Sequence, residues 1–382
     1  MRTDHRLTIL NVAYPLATVS PDCVGGAEQV VSQLDAALTL AGHKSIVVAS
    51  QGSKVSGTLV PTPIWIGTLN DEIQAAAANA VADAISSALY RWRVDVIHLH
   101  GFDFHRYLRT CTKPVLATLH LPTAWYPQSI FSGTRSATFY NCVSASQAGG
   151  CPGCSQLLPY IPNGVSLDRF RARHAKRDFA LALGRICPEK GFHIALSAAK
   201  RAGVPLLLAG RVYGYTDHET YFAREILPRL DERRIFIGPA GIARKRRLLT
   251  AAQCLLAPSL VPETSSLVAM EALACGTPIV AFAAGALAEI VEHGKTGFLV
   301  RDEAEMAAVI PLCRELNPED CRAAARQRFD SRVTVEKYLA VYRSLSALNT
   351  GNYVSPLDVP SIPQSSRGAL GWSSGEAFRR AD

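Results

Sequence analysis

Two glutamates eight positions apart, Glu263 and Glu271, carry the most specific chemistry in the sequence. The stretch around them reads as strand end, loop, helix, glycine stop and next strand: Pro258-Ser259-Leu260-Val261-Pro262-Glu263-Thr264-Ser265-Ser266-Leu267, then on through Gly276 to Ala281. Thr264, Ser265 or Ser266 can cap the helix, and its first free amides with the positive dipole end make an anion site. Glu263 stands just before the helix and Glu271 about two turns inside it. At ~1.5 Å per helical residue the carboxylates can be roughly 10 Å apart. One can then accept hydrogen bonds from a sugar and the other from a ribose, with a diphosphate over the helix terminus between them. A lone pair of glutamates would read more simply as a helix-start charge and a solvated helix residue. Glu271, however, lies between Met270 and Ala272 on a mostly apolar helix, where an unpaired carboxylate is costly.

Gly184-Arg185-Ile186-Cys187-Pro188-Glu189-Lys190-Gly191 follows a strand directly. A planar guanidinium and a mobile ammonium at the tip of such a loop can enclose a diphosphate, although a basic surface loop has the same composition. Gly25-Gly26-Ala27-Glu28 opens the first helix; paired glycines let backbone approach a ligand, or make a tight turn. Three histidines form a further set: His98 and His100 in DVIHLHG, and His120 in VLATLHLP. Strand alternation puts His98 and His100 on one side, with His100 at the strand end. They can be satisfied structural residues, site residues or a three-histidine metal set. Cys151-Pro152-Gly153-Cys154 lacks the second CxxC or paired His of a zinc site, leaving metal, a loop disulfide or a turn with free thiols.

These residues need elements to hold them, and short apolar runs alternating with helical patterns supply a mainly parallel α/β sheet. Strands are expected at Leu7–Ala13, Ser45–Ala49, Val94–Leu99, Val115–Leu119 and Thr138–Val143. A second set is expected at Phe179–Leu183, Pro205–Ala209, Arg234–Ile237, Gln253–Ala257, Pro278–Ala281 and Phe298–Val300. Val30, Leu34, Leu38 and Ala41 recur at helical spacing before Gly42, and Asp71 to Tyr90 reads as another helix. Gly184, Gly210, Gly238 and Gly285 fall at strand ends, where doubly wound sheets bind ligands. The turn around Pro162-Asn163-Gly164 and the connector RARHAKR divide the chain. The expected parts are an N-terminal domain over 1–165, a second domain over 166–325, a last helix over 326–348 and a disordered Ser/Pro/Gly-rich tail over 349–382.

Composition sets outer bounds. With 382 residues, 48% apolar and 19% charged, the chain can bury a large core, which excludes wholesale disorder and coiled coil. No apolar run reaches the roughly 18–20 residues of a membrane span, and MRTDHRLTILNVAY holds no apolar signal core. Dispersed cysteines such as Cys142, Cys254 and Cys275 in apolar settings suit a reducing compartment, so the expected location is cytoplasmic. The net charge of +8 suits nucleic acid, anionic lipid or an anionic small substrate equally well.

The E-x7-E segment with its trailing A-x-G-x-P-x-V-A resembles the donor-site motif of retaining GT-B glycosyltransferases of family 4, and the resemblance extends over about residues 7–345. It departs where the family often has Phe-Gly after the first glutamate and this chain has Thr264-Ser265-Ser266, which leaves donor-sugar preference unread. The resemblance implies a GT-B fold, two facing doubly wound Rossmann-like domains with a cleft, the second binding the nucleotide sugar. It further implies that Glu263 binds donor-sugar hydroxyls and Glu271 the ribose, with amides near Ser266 and Leu267 facing phosphate. Arg185 and Lys190 would contact the diphosphate, Gly25 and Gly26 would face the cleft, His120 would be the active-site histidine, and His100 would line the acceptor side. The base would rest near Gly238 and Ala243–Arg247, although most of Arg244, Lys245, Arg246 and Arg247 read more simply as a solvated helix start.

The expected activity is sugar transfer from a nucleotide-diphosphate donor to a hydroxyl of a glycan, lipid or small molecule, with retention. No DxD-like pair is present, so metal independence is expected: Arg185 and Lys190 would do the work of a cation, and no cofactor is implied. A nucleotide-sugar epimerase or phosphorylase on the same fold is the nearest alternative. A nucleic-acid or anionic-membrane binder using the basic runs at 171–177 and 244–247 is a third class, but no aromatic interleaving supports nucleic acid. A lipid acceptor would bring weak peripheral contact with the inner face of a membrane.

Overall fold

The computed structural model describes residues 6–348 apart from 24, 66–69, 109–111, 133–136 and 172. The expected tail over 349–382 lies outside the described residues. Twelve strands among the described residues form two all-parallel sheets. The first holds β1 (Thr8–Val12), β2 (Lys44–Ser50), β3 (Thr58–Thr62), β4 (Val96–Leu99), β5 (Val115–Leu119) and β6 (Thr138–Cys142), in the order β3-β2-β1-β4-β5-β6. The second holds β7 (Ala180–Leu183), β8 (Leu206–Ala209), β9 (Arg234–Phe236), β10 (Cys254–Ala257), β11 (Ile279–Phe282) and β12 (Gly297–Val300), in the order β12-β11-β10-β7-β8-β9. Read from its own first strand, each sheet has the doubly wound order 3-2-1-4-5-6. Strand order therefore reverses between β1 and β4 and between β7 and β10. Loops leaving those four strands open a crevice at the carboxyl ends, where such sheets take ligands.

The helices are α1 (Gly26–Leu40), α2 (Asp71–Arg91), α3 (Ala145–Gly149), α4 (Phe192–Arg201), α5 (Thr216–Tyr221), α6 (Ile242–Ala251), α7 (Leu267–Ala274), α8 (Leu287–Ile290), α9 (Glu303–Val309), α10 (Pro318–Arg328) and α11 (Ser331–Leu348). No helix among the described residues is long and apolar enough to cross a membrane. Strands buried on both faces read as continuous apolar runs, as in β4 (Val96, Ile97, His98, Leu99) and β5, and those runs were legible. β3 was not expected. Its TLVPT is short, contains Pro61 and sits at the sheet edge, where a missing N–H costs no ladder bond.

The last helical stretch was expected as one element beginning at 326. Instead α10 runs to Arg328, Phe329 turns inward, and Asp330 bridges the connector: Val165 N donates to Phe329 O (2.8 Å) and Ser331 N to Val165 O (3.1 Å). α11 then returns to the first sheet. Thr334, Tyr338, Val341, Tyr342 and Leu345 recur at three- and four-residue spacing and are buried. The Tyr342 hydroxyl meets His98 Nδ1 at 2.6 Å, and Tyr338 OH lies 3.2 Å from Thr118 Oγ1 and accepts from Asn141 Nδ2 at 3.3 Å. One apolar cluster runs through Ile9 and Leu34 of the first half, Leu255 and Met270 of the second, and Tyr338 and Tyr342, so α11, docked on the first sheet, joins a core continuous between the two halves.

Candidate active site

The site begins where the loops after β7 and β10 are forced together. Gly191 has φ +63°, and a Cβ there would stand 2.1 Å from Pro258 O, so only glycine permits this approach. Leu260 N donates to Glu189 O at 2.8 Å across the same seam. The consequence is chemical: Lys190 Nζ donates to Glu263 Oε1 at 2.5 Å, and Ser259 Oγ donates to the same oxygen at 2.5 Å. Glu263 is fixed from behind as well. Its carbonyl accepts from Ala286 N at 2.7 Å, an approach open because Gly285 has φ +61° and no Cβ to strike that oxygen.

Glu271 is buried at the fifth residue of α7, little more than one turn inside rather than about two. Its Oε1 accepts from Lys245 Nζ at 2.5 Å, and its Oε2 is buried with no hydrogen-bond partner. Burial holds the carboxyl above its ordinary range, and Lys245 draws it part of the way back. Both residues line a pocket between the two halves, with Cys23, Gln29, Arg169, Gly184, Pro239 and Val268 among its other walls. A carboxylate oxygen left without a partner on a residue that lines a pocket is an acceptor waiting for a donor, since such groups are rarely left unpaired. Ser265 Oγ, on the turn before α7, is likewise buried without a partner.

Neither the Ser266 nor the Thr264 hydroxyl caps α7. Ser266 occupies the N-cap without a side-chain bond, and Thr264 Oγ1 instead donates to His120 O at 2.8 Å, joining the two halves. The first amides of α7, including those near Ser266 and Leu267, have no partner within the helix by its geometry. α1 brings its own amino end to the same cleft: a Cβ on Gly26 would contact Leu267 Cδ1 at 3.8 Å. Gly25 is required differently. Glu28 folds back over it, and a Cβ there would stand 1.8 Å from Glu28 Oε2. Burial raises the Glu28 carboxyl, opposed by its own backbone N–H and by the charge of Arg185 across the cleft.

The three histidines form a chain with different ends. His98 spends Nδ1 on Tyr342 and Nε2 on Thr118 Oγ1 (2.7 Å), which makes it structural and leaves no nitrogen for a metal. His100 Nδ1 lies 3.1 Å from His120 Nε2, while its own Nε2 is buried without a partner. Burial pushes His98 and His100 well below the ordinary imidazole range and His120 down to about 4. All three are neutral at pH 7 and act as hydrogen-bonding groups. The Asp103 carboxyl is buried, which raises it to about 6, and Tyr14 feels the charges of both Asp103 and Glu28.

The fold therefore brings Arg185, Lys190, Glu263, Ser266, Leu267 and Glu271 to one side of the cleft and Gly25, Gly26, His100 and His120 to the other. Arg185 is exposed at its loop tip. Sequence reasoning missed Lys245, hidden in a basic run whose Arg244 and Arg247 are exposed as a solvated helix start should be. It also passed over Glu28, although GGAE contained it, and Asp103, which has no motif. Cys151 and Cys154 carry free thiols, as do the other described cysteines.

Comparison with known proteins assigns this arrangement to a family. The model for Glycosyltransferase Family 4 matches residues 24–169 and that for Glycosyl transferases group 1 matches residues 177–313, one on each sheet. The chain is 27% identical to the phosphatidyl-myo-inositol mannosyltransferase of Mycobacterium leprae, over 85% of this chain and 94% of that protein. Its fold resembles sucrose-phosphate synthase from Thermosynechococcus elongatus, with TM-score 0.73, 20% identity and coverage of 90% and 100%. It also resembles Anabaena HepE, solved with UDP and glucose, with TM-score 0.67, 20% identity and coverage of 89% and 100%. The two sheets have the GT-B architecture, and the chain belongs to the family 4, group 1 glycosyltransferases.

Proposed function

We propose that this glycosyltransferase moves a sugar from a nucleotide-diphosphate donor to an acceptor hydroxyl, with retention of configuration and without a metal. The observation that carries the reading is Glu271 Oε2, a buried acceptor without a partner in the interdomain pocket beside Lys245. A ribose hydroxyl satisfies it. The diphosphate then lies over the amino end of α7, within reach of Arg185 and Lys190. Lys190 exchanges Glu263 for phosphate, and Glu263 turns its freed oxygen to the sugar hydroxyls. The base stacks near Pro239 and Ile242. HepE, bound to UDP and glucose, supports a donor of this class.

In the reaction the bond between the anomeric carbon and the phosphate oxygen breaks, and the acceptor oxygen bonds that carbon on the same face. The acceptor proton passes to the departing phosphate, so no protein base is required. Arg185, Lys190 and the α7 amides stabilise charge that grows on the phosphate, an interaction strongest in the transition state. His120, neutral at pH 7, donates or accepts one hydrogen bond at the sugar or acceptor, and His100 lines the acceptor side. The reaction belongs in the cytoplasm, and a lipid acceptor would draw the protein to the inner face of a membrane. The test is proton NMR of the product formed in excess chelator. Retained anomeric configuration, with turnover that survives the chelator, is expected; an inverted product, or activity abolished by chelator, overturns the reading.

A further inference from the structure

A second cluster of reactive side chains lies at the base of the donor loop and takes no part in the chemistry above. Cys187 and Glu189 flank Pro188 where the loop after β7 enters its short turn, and His218 reaches the same place from α5. One donor atom from each residue, a sulfur, a carboxylate oxygen and a ring nitrogen, can be chosen so that all lie within 4.8 Å of one another. We propose that Cys187, Glu189 and His218 bind a zinc-class divalent ion that fastens α5 to the loop carrying Arg185 and Lys190.

Independent observations point the same way. His218 is only 9% exposed, yet its Nδ1 is buried with no hydrogen-bond partner, which leaves that nitrogen open to a ligand. Cys187 is 1% exposed, and its sulfur makes a long 3.7 Å contact to Arg185 O. Glu189 and His218 also line a cavity of about 510 Å³ that gives an ion a path inward. Thiolate, imidazole and carboxylate are together the donor set that zinc prefers, and three protein donors with water in the fourth position make a complete tetrahedron. Donors around tetrahedral zinc stand roughly 3.3–3.8 Å apart, so the cluster must contract by about 1 Å. One thiolate and one carboxylate balance the two charges of the ion. The site is separate from the donor diphosphate, whose charge still falls to Arg185 and Lys190. Its effect on transfer is positional, because Glu189 immediately precedes Lys190.

The test uses the full chain stripped by chelator and titrated with Co²⁺, then with Zn²⁺ as competitor. One equivalent of Co²⁺ should bind with a thiolate-to-cobalt charge-transfer band that Zn²⁺ abolishes. C187S should lose the band. H218Q should bind at least ~10-fold more weakly, the smallest loss usual even for groups that merely support a metal ligand. A double variant, C151S with C154S, should keep the band unchanged. Absence of the band, its persistence in C187S, its loss in the double variant, or unchanged affinity in H218Q overturns the assignment. Should C187S fail to fold, H218Q alone decides, since it leaves every cysteine in place.

Discussion

Lys245→Met is the most informative single perturbation, because Lys245 is the buried counter-charge that lets Glu271 exist inside the protein. The two groups meet at 2.5 Å, with side-chain exposures of 11% and 3%. Removing one member of such a pair leaves the other charge uncompensated and costs about 3–5 kcal/mol. Replacing both with apolar residues of similar volume is often neutral. Lys245→Met with Glu271→Leu should therefore recover to within about 1 kcal/mol of the wild type, a coupling of at least ~2 kcal/mol across the mutant cycle. The pH dependence has a fixed sign. Burial already raises the Glu271 carboxyl, and a folded pKa above the unfolded one favours folding in acid and costs stability as pH rises through it. Without Lys245 that pKa rises further, so the deficit of Lys245→Met should shrink in acid and be largest at neutral pH and above. Urea unfolding across this pH range, with all four members of the cycle, reads both quantities. Additive losses, or a deficit independent of pH, would refute the reasoning.

Tyr342→Phe should cost about 1–3 kcal/mol in urea unfolding, because it leaves His98 Nδ1 buried without its partner; Tyr342→Phe as stable as wild type would contradict the docking of α11 on the first sheet. Asp103 stands at about 6 rather than 3.8, so its burial opposes folding above that pH, and Asp103→Asn should gain up to about 3 kcal/mol at neutral pH and little in acid. For the histidines the sign is opposite. Folded pKa values depressed below 6.5 give stability that is present above 6.5 and lost as pH falls towards 4, by as much as about 4 kcal/mol per pH unit if all three participate. The raised carboxylates offset part of that slope, and Asp103→Asn should steepen it between about pH 6 and about pH 4. A thermal midpoint of Asp103→Asn that falls no more steeply than the wild type's between about pH 6 and about pH 4 would contradict this balance.

Much of this was legible because it is local. Continuous apolar runs mark strands buried on both faces, and glycines such as Gly285 mark where loops leave them. The E-x7-E spacing identifies Glu263 and Glu271 because the chemistry sits on one loop and one helix. What stayed hidden depends on contacts distant in sequence. Lys245 looks like one of four solvated cations until α6 packs on α7, and Thr264 looks like a helix cap until the cleft closes on His120 O. Asp103 acquires its raised pKa from burial that no local pattern announces. Cys187 and His218 meet only because α5 folds back on the donor loop. The net charge of +8 narrows similarly: Arg185, Lys190 and Lys245 face the cleft, while Arg171, Arg173, Arg244 and Arg247 lie exposed.

The central claim is that Glu271 and the donor loop together hold a nucleotide-diphosphate sugar. Isothermal titration of the full chain with UDP-, GDP-, ADP- and dTDP-sugars in excess chelator tests it directly. At least one donor should bind with one-to-one stoichiometry. The stable Lys245→Met/Glu271→Leu variant should bind that donor at least ~10-fold more weakly, the loss of one charge-assisted hydrogen bond. Binding of none of these sugars or their diphosphates, or equal affinity in the variant, would contradict the account.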